Sequence, residues 1–231
     1  MNMLALLCGV AAALVSGASF AEGNAEKGKA IFNNGKEGTA VLPCQSCHMD
    51  KAQGSDQMGT PRLAGQGTAY IVKQLTDIAN DKRKPTGLGE QMIAIAKGLS
   101  EQDRQDVAAF LHSQKGEELS NLKEVGAAGT VFKGQVIAKF GVANKVSACQ
   151  SCHGYNGRGA SPVFPMIGRQ KYGYLVSQLK SWRDGSRAND PAGMMRAVAK
   201  NLTDDDINDV AAFLSNADAT TQGNHQTPSQ D

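Results

Sequence analysis

Apolar side chains recur at helical spacing in two distant stretches of the chain, residues 68–80 and residues 172–184. In the first stretch, one helix face is formed by Tyr70, Ile71, Leu75 and Ile78. Helices are also predicted to begin at Ser100 and Thr203, because each is a capping residue type followed by acidic side chains. No segment shows the alternation of a β-strand. The pattern therefore predicts an all-α protein with Gly- and Pro-bearing loops.

Each half of the chain also starts with a predicted helix. The first of these helices covers residues 25–33 and contains Gly28 and Phe32. We take Ala128 and Phe132 as the counterparts of these two residues in the second half. The order of predicted helices is then the same in both halves.

The two halves are copies of one unit. Residues 44–48 align with residues 149–153 at an offset of 105, residues 63–66 with 167–170 at 104, and residues 106–111 with 209–214 at 103. Self-similarity over such a length indicates an internal duplication. We therefore predict two tandem domains, residues 22–113 and residues 126–215, joined by a linker at residues 114–125.

Both ends of the chain are predicted to lie outside these domains. Residues 1–21 carry no charged side chain, are rich in Leu, Ala and Val, and end in the small-x-small sequence Ser19-Phe20-Ala21. This pattern is typical of a secretory signal peptide and is too short to span a bilayer. An uncleaved anchor is the alternative, because the usual N-terminal Lys or Arg is missing. Residues 216–231 are predicted to be a disordered tail.

The charge balance excludes one class of function. The 24 Lys and Arg residues stand against 22 Asp and Glu residues, a net charge of +2, and no basic stripe or tail is present. Nucleic-acid binding requires such a basic surface, so we expect no nucleic-acid partner. Aromatic residues are only 5% of the chain, which would leave small domains with thin cores unless a bound group fills them.

Both aligned pentapeptides read Cys-x-x-Cys-His, the attachment signature of c-type haem. Within one helical turn, the thiols of Cys44 and Cys47 can reach the two vinyl groups of one porphyrin, and His48 can present its imidazole to the iron. The second copy supplies Cys149, Cys152 and His153. We therefore predict two covalently bound haem c groups, one in each half of the chain.

Two other chemistries also use paired cysteines. A zinc site would need further Cys or His ligands, and only His112 and His225 are spare. A thioredoxin-like redox pair needs a βαβ context, which the helical pattern does not provide. Haem attachment is therefore the preferred interpretation.

A methionine thioether is the predicted sixth ligand of each iron. The candidates are Met49, Met58 and Met92 in the first half and Met166, Met194 and Met195 in the second. Met92 lies seven residues before Leu99, and Met195 lies seven residues before Leu202. The repeat therefore selects Met92 and Met195 as ligands, with core filling as the alternative role of these side chains.

Two prolines follow the histidines at similar distances, Pro61 after 13 residues and Pro165 after 12. An iron-bound imidazole usually donates its other N–H to a backbone carbonyl, and proline offers a carbonyl without an N–H of its own. We hypothesise that these carbonyls hold His48 and His153. Stiffening of the loop is the alternative role.

The two middle helices share a further stripe of side chains, formed by Tyr70, Gln74, Tyr174, Gln178 and Trp182. These side chains are candidates for hydrogen bonds to haem propionates or for a domain interface. Core packing is the commoner use of such a stripe.

The chain resembles the cytochrome c4-type proteins, which are tandem class I cytochromes c of bacterial periplasms. The resemblance covers residues 24–215 and rests on both Cys-x-x-Cys-His motifs, on residues 61–66 (PRLAGQ), and on residues 183–187 (RDGSR). It implies two all-α class I cytochrome c domains with haem-centred cores, related by internal duplication. It also implies that the two domains pack about a pseudo-twofold axis. It also implies the axial pairs His48 with Met92 and His153 with Met195. One departure is Ala128, where the family's second domain tends to have glycine at a helix crossing.

The family's role implies a periplasmic electron carrier rather than an enzyme. The expected partners are redox proteins, namely a membrane oxidase or a quinol-oxidising complex, with possible peripheral membrane association and no small-molecule substrate. Two alternatives stay open. The chain could be the haem subunit of a dehydrogenase complex, for example with a flavoprotein, or a peroxidase or gas sensor. The last option needs an open iron, and neither repeat lacks its methionine.

Overall fold

The computed structural model describes residues 22–115 and 128–218, and these residues form ten α-helices with three isolated β-bridges and no strand. The five helices of the first half are α1 (Ala25–Asn34), α2 (Gln45–His48), α3 (Thr68–Ala79), α4 (Gln91–Gly98) and α5 (Glu101–Ser113). A 3₁₀ turn, Gly87–Glu90, leads directly into α4. The prediction of an all-α protein is confirmed.

The second half repeats this order of elements. Its helices are α6 (Ala128–Phe140), α7 (Gln150–His153), α8 (Tyr172–Asp184), α9 (Met194–Ala199) and α10 (Asp204–Asn216). Short 3₁₀ turns, Tyr155–Gly157 and Pro191–Gly193, follow α7 and precede α9. The predicted middle helices correspond to α3 and α8.

Some predictions fall on residues that the structure does not describe. The predicted signal peptide (residues 1–21) lies outside the described residues, as do most of the predicted linker and most of the predicted tail. Among the described helices, none has the length and apolar character needed to cross a bilayer.

The last helix of each half begins with a reciprocal cap. The Ser100 hydroxyl accepts a hydrogen bond from the backbone N–H of Asp103, and the Asp103 carboxylate accepts one from the backbone N–H of Ser100. Thr203 and Asp206 repeat this arrangement at the start of α10. Such a capping box satisfies N–H groups that have no partner within the helix. Both predicted helix starts are confirmed.

The first and last helices of each half cross at a glycine. At Gly28 of α1, a Cβ atom would lie 1.9 Å from the carbonyl oxygen of Asp106 in α5. At Gly134 of α6, a Cβ atom would lie 1.9 Å from the carbonyl oxygen of Asp209 in α10. Only a residue without a side chain allows the backbones to approach this closely.

The predicted pairing of Gly28 and Phe32 with Ala128 and Phe132 is therefore wrong. The crossing aligns Gly28 with Gly134, at an offset of 106, so the counterpart of Phe32 is Ala138. The predicted pairing matched the aromatic residues Phe32 and Phe132, which displaces the register of the second helix by six residues from the one that the glycine crossing fixes. The glycine that the family resemblance led us to seek at position 128 is present at position 134.

Each half builds its own apolar core. The first core packs α1, α3, α4 and α5 around Phe32 and Leu111, which are almost fully buried. The second packs α6, α8 and α10 around Ile207 and Val210. Hydrogen bonds join the two halves and involve α3, α8 and the loops on both sides of these two helices.

Candidate haem sites

The two cysteines of each motif lie one helical turn apart. The N–H of His48 donates to the carbonyl of Cys44 over 2.9 Å, and the N–H of His153 donates to the carbonyl of Cys149 over 2.8 Å. These bonds place each histidine on the turn that carries both thiols. All four cysteines have free thiols, so none is committed to a disulfide.

A glutamine within each motif attaches the turn to the preceding helix. The Gln45 amide donates to the carbonyl of Asn33, near the end of α1, over 2.8 Å. The Gln150 amide donates to the carbonyl of Lys139, near the end of α6, over 2.9 Å. The last carbonyls of a helix have no partner within it, so this glutamine both completes the helix end and fixes the motif.

The two histidines are buried, with 6% and 7% of their surface exposed. His48 Nδ1 donates to the carbonyl of Pro61 over 3.0 Å, and His153 Nδ1 donates to the carbonyl of Pro165 over 2.8 Å. A carbonyl can only accept, so the proton lies on Nδ1 and Nε2 is left with its lone pair. The hypothesis that these proline carbonyls hold the histidines is confirmed.

Burial also favours the neutral form of both imidazoles. Desolvation lowers the pKa of His48 and of His153, and it outweighs the opposite effect of the bonded proline carbonyls. A neutral imidazole with a fixed tautomer is the form that a metal ion binds. The donor set therefore fits an iron porphyrin.

The predicted methionines occupy matching positions. Met92 and Met195 are each the second residue of their helix, α4 and α9, and both are half-buried. Met92 packs against the first core. Met194, the neighbouring candidate, is 39% exposed. Equivalent placement in the two domains supports the pair chosen from the repeat.

The competing chemistries fit less well. Burial raises the pKa of Cys44 and of Cys149 to about 11, whereas a thiol–disulfide redox pair requires a lowered thiol pKa. Within residues 22–115 and 128–218, no group of three or more His, Cys, Asp or Glu side chains is arranged to hold a metal ion. A zinc site and a thioredoxin-like site are therefore both disfavoured.

Four side chains of the shared stripe, namely Tyr70, Gln74, Tyr174 and Gln178, lie at the domain interface. Arg83 donates to Gln74 of its own domain and to Tyr174 and Gln178 of the other, over 2.9–3.1 Å. Arg187 makes the mirrored set of contacts: it donates to Gln178 of its own domain and to Gln74 and Tyr70 of the other.

This interface cluster carries excess positive charge. Asp77 supplies a carboxylate that pairs with Lys73, which leaves two guanidinium groups. Burial alone would raise the pKa of Tyr174, but Arg83 and Arg187 outweigh it and hold this pKa below its usual value. Neither Arg83 nor Arg187 was assigned a role from the sequence. The available signal was their pairing at an offset of 104, the same as for the tyrosines and glutamines they bind.

Comparisons with known proteins agree with this geometry. A family model described as Cytochrome c matches residues 25–115 and 141–218. The thiosulfate dehydrogenase electron acceptor of Stutzerimonas stutzeri (strain A1501) is 34% identical over 211 residues, which cover 91% of this chain and 93% of that protein.

Two solved structures have the same fold. Reduced recombinant cytochrome c4 from Pseudomonas stutzeri superposes with a TM-score of 0.71 and 31% identity, over 84% of this chain and 99% of that one. The thiosulfate dehydrogenase TsdBA from Marichromatium purpuratum, in its "as isolated" form, superposes with a TM-score of 0.76 and 27% identity. That match covers 86% of this chain and 41% of the larger neighbour.

Proposed function

Because the chain belongs to the cytochrome c family, as a tandem-domain electron carrier of the cytochrome c4 type, we propose that it carries two covalently attached haem c groups. Cys44 and Cys47 would bind the first, and Cys149 and Cys152 the second. The proposed domains are residues 22–113 and 126–215. Haem iron between a histidine and a methionine supplies reversible one-electron transfer without an open coordination position.

One observation carries this proposal. In both halves, a Cys-x-x-Cys turn ends in a buried histidine whose Nδ1 donates to a proline carbonyl, which leaves Nε2 as the metal-binding atom. His48 and His153 are the proposed ligands on one side of each iron, and Met92 and Met195 those on the other. A thioether favours reduced iron, as a carrier that accepts electrons readily requires.

We also propose that the protein acts in the periplasm and is not itself an enzyme. The uncharged apolar segment at residues 1–21 supports export. Covalent attachment retains the cofactor after export. The proposed partners are membrane complexes, a quinol-oxidising donor and a terminal oxidase.

Absorption spectra of the purified protein test the proposal. We expect two haems per chain, a methionine–iron band in the oxidised form, and no carbon monoxide binding in the reduced form. Carbon monoxide binding at either haem would mean an open iron, and the carrier proposal would be replaced by a sensor or peroxidase role. Met195→Ala should open one iron to carbon monoxide, whereas the control Met194→Ala should not.

A second candidate function has its own support. The similarity to a thiosulfate dehydrogenase electron acceptor, and to the larger TsdBA chain, favours a thiosulfate dehydrogenase as electron donor. Stopped-flow mixing of the oxidised protein with a thiosulfate dehydrogenase and thiosulfate would measure this. Reduction faster than that by a quinol-oxidising complex would favour the dehydrogenase, and the reverse order would favour the membrane donor.

A further inference from the structure

Two buried glutamines bind the backbone of the opposite domain. The side chain of Gln170, in the second domain, accepts from the N–H of Arg62 over 2.7 Å and donates to the carbonyl of Arg62 over 2.9 Å. The side chain of Gln66, in the first domain, binds the N–H and the carbonyl of Met166 in the same way, both over 2.9 Å. The contacts are reciprocal between the domains.

Both glutamine side chains are fixed in place. The side-chain oxygen of Gln66 accepts a second hydrogen bond from the N–H of Gly67, and that of Gln170 accepts one from the N–H of Lys171. Gly67 and Lys171 are the residues that precede α3 and α8. The glutamines are 4% and 7% exposed, so solvent does not compete for these bonds.

In each domain, one peptide group binds two side chains: its carbonyl accepts from the histidine of that domain, and its N–H donates to the glutamine of the opposite domain. The N–H of Arg62 and the carbonyl of Pro61 belong to one peptide group, and that carbonyl accepts from His48 Nδ1. A continuous path of two hydrogen bonds therefore runs from Gln170 to His48 across the domain boundary. In the other direction, the peptide group between Pro165 and Met166 links Gln66 to His153.

Hydrogen bonds on the two sides of one peptide group strengthen each other. An acceptor at the N–H attracts the amide proton, which increases the electron density on the nitrogen and, through amide resonance, on the carbonyl oxygen. That oxygen then accepts a stronger hydrogen bond from the Nδ1–H of the histidine. A stronger bond at Nδ1 makes the imidazole a better electron donor through Nε2 and so favours oxidised iron. Removing the glutamine acceptor should therefore raise the reduction potential.

We propose that Gln170 and Gln66 are positioning residues that set the donor strength of the histidine in the opposite domain, Gln170 acting on His48 and Gln66 on His153. The proposal rests on the proposed function, in which both histidines bind haem iron. It makes the domain interface a part of each iron site. Separating the domains would shift both potentials upward, although no haem ligand lies at the interface contacts themselves.

The test replaces a glutamine in one domain and measures the reduction potential of the haem in the other domain. In Gln170→Leu, a redox titration followed by NMR should show a higher potential for the haem of the first domain and an unchanged potential for that of the second. The resonance of the His48 Nδ1 proton should move upfield as its hydrogen bond weakens. Gln66→Leu should give the reverse pattern. A shift confined to the domain that carries the substitution, an equal shift of both haems, or no shift would overturn the proposal.

Two further variants separate this effect from loosening of the interface. Asp56→Ala removes a different interdomain bond, from the N–H of Gly173 to the Asp56 carboxylate, and should leave both potentials in place. Gln170→Glu keeps an oxygen that accepts from the Arg62 N–H, so the first-domain potential should stay at or below its original value. A rise in Gln170→Glu, or a crossed shift in Asp56→Ala, would contradict the proposal even if the leucine variants did not fold.

The haem content and absorption spectrum of the unmodified protein keep the two proposals distinguishable. If that protein lacked two histidine-ligated haems, the proposed function itself would fail. If both haems were present and the crossed shifts were absent, only the role of the glutamines would be wrong.

Discussion

The helix before the cysteine motif is packed differently in the two domains. In the first domain, α1 buries Phe32 against Phe110, with 5.2 Å between the ring centroids. In the second domain, Ala138 takes the position of Phe32, and α6 turns Phe132, Val136 and Phe140 toward solvent. The first domain thus has an aromatic pair at its helix crossing, and the second has none there.

The residues beside the histidines also differ, and here it is the second domain that has the aromatic contact. The ring of Phe164 packs edge-on against His153, with 5.9 Å between the centroids. The aligned residue in the first domain is Thr60, whose hydroxyl donates to the carbonyl of Cys47 over 2.7 Å. An aromatic ring therefore lies beside the histidine in the second domain, where the first domain has a hydrogen bond.

The loops that lead to the predicted methionines also differ. Ahead of Met195, the buried carboxylate of Asp190 accepts from both the backbone N–H and the guanidinium of Arg196. The 3₁₀ turn ahead of Met92 has a glycine on each side of Leu88, which is 65% exposed. The cysteine motifs and the histidine–proline hydrogen bonds are alike in the two halves, whereas the packing around them has diverged. We therefore expect the two domains to differ in stability and in how firmly the loop beside the predicted methionine is held in place.

Removing the cysteines should have the largest effect and should be unequal between the domains. Replacing Cys44 and Cys47 by Ala, or Cys149 and Cys152 by Ala, should each remove one haem. The second domain should lose more helix, because it has no counterpart of the Phe32–Phe110 pair and its core would depend more on the proposed porphyrin. Haem content and circular dichroism at 222 nm would measure both effects. Equal helix loss in the two variants would break the comparison.

Substitutions of Phe32 and Phe132 test how the first helix of each domain is packed. Their expected effect on stability is smaller than that of removing the cysteines. Phe32→Ala should lower the free energy of unfolding of the first domain by about 3–5 kcal/mol, because it empties a fully buried site. Phe132→Ala removes an exposed ring and should change that of the second domain by about 0.5 kcal/mol or less. Urea unfolding of the holoprotein measures both. A comparable loss in Phe132→Ala would restore the pairing of Phe132 with Phe32.

The local features of this fold could be predicted from the sequence. The capping boxes at Ser100 and Thr203 depend on residues three positions apart, and the bonds from His48 and His153 to proline carbonyls depend on segments of 13 and 12 residues, respectively. Because the unit is duplicated, each of these features could be predicted in both halves of the chain. These features lie within one element or one loop, so the sequence contains what determines them.

Features that depend on packing between distant elements were predicted only in part, because the interface role of the tyrosine and glutamine stripe was one of several alternatives. The register of α6 was assigned from an aromatic residue, whereas the close approach of Gly134 to Asp209 decides it. The roles of Arg83 and Arg187, and of Gln66 and Gln170, follow from how one domain packs on the other. The hydrophobic periodicity of a single helix contains no information on how the two domains are placed relative to each other. Equal offsets between polar residues outside the motifs were the available sign.

Asp190 offers the finest distinction between the domains. Asp190→Asn removes the charge from a buried acceptor of two hydrogen bonds and should weaken the closed form of the Met195 loop by about 1.5 kcal/mol. Transient opening of that loop should then be roughly tenfold more frequent. Binding of added imidazole to the oxidised protein, followed by NMR, should therefore become roughly tenfold faster at the second haem alone.

The first domain contains a matched control for this substitution. Lys97 of α4 pairs with Asp81 over 3.0 Å, and both side chains are about half exposed. An exposed pair of this kind contributes little to stability, so Asp81→Asn should leave the imidazole rate at the first haem unchanged. Equal acceleration by the two substitutions would mean that the buried carboxylate gives the second loop no special hold. An effect confined to Asp190→Asn would show that the two domains, built from one unit, restrain their predicted methionines by different means.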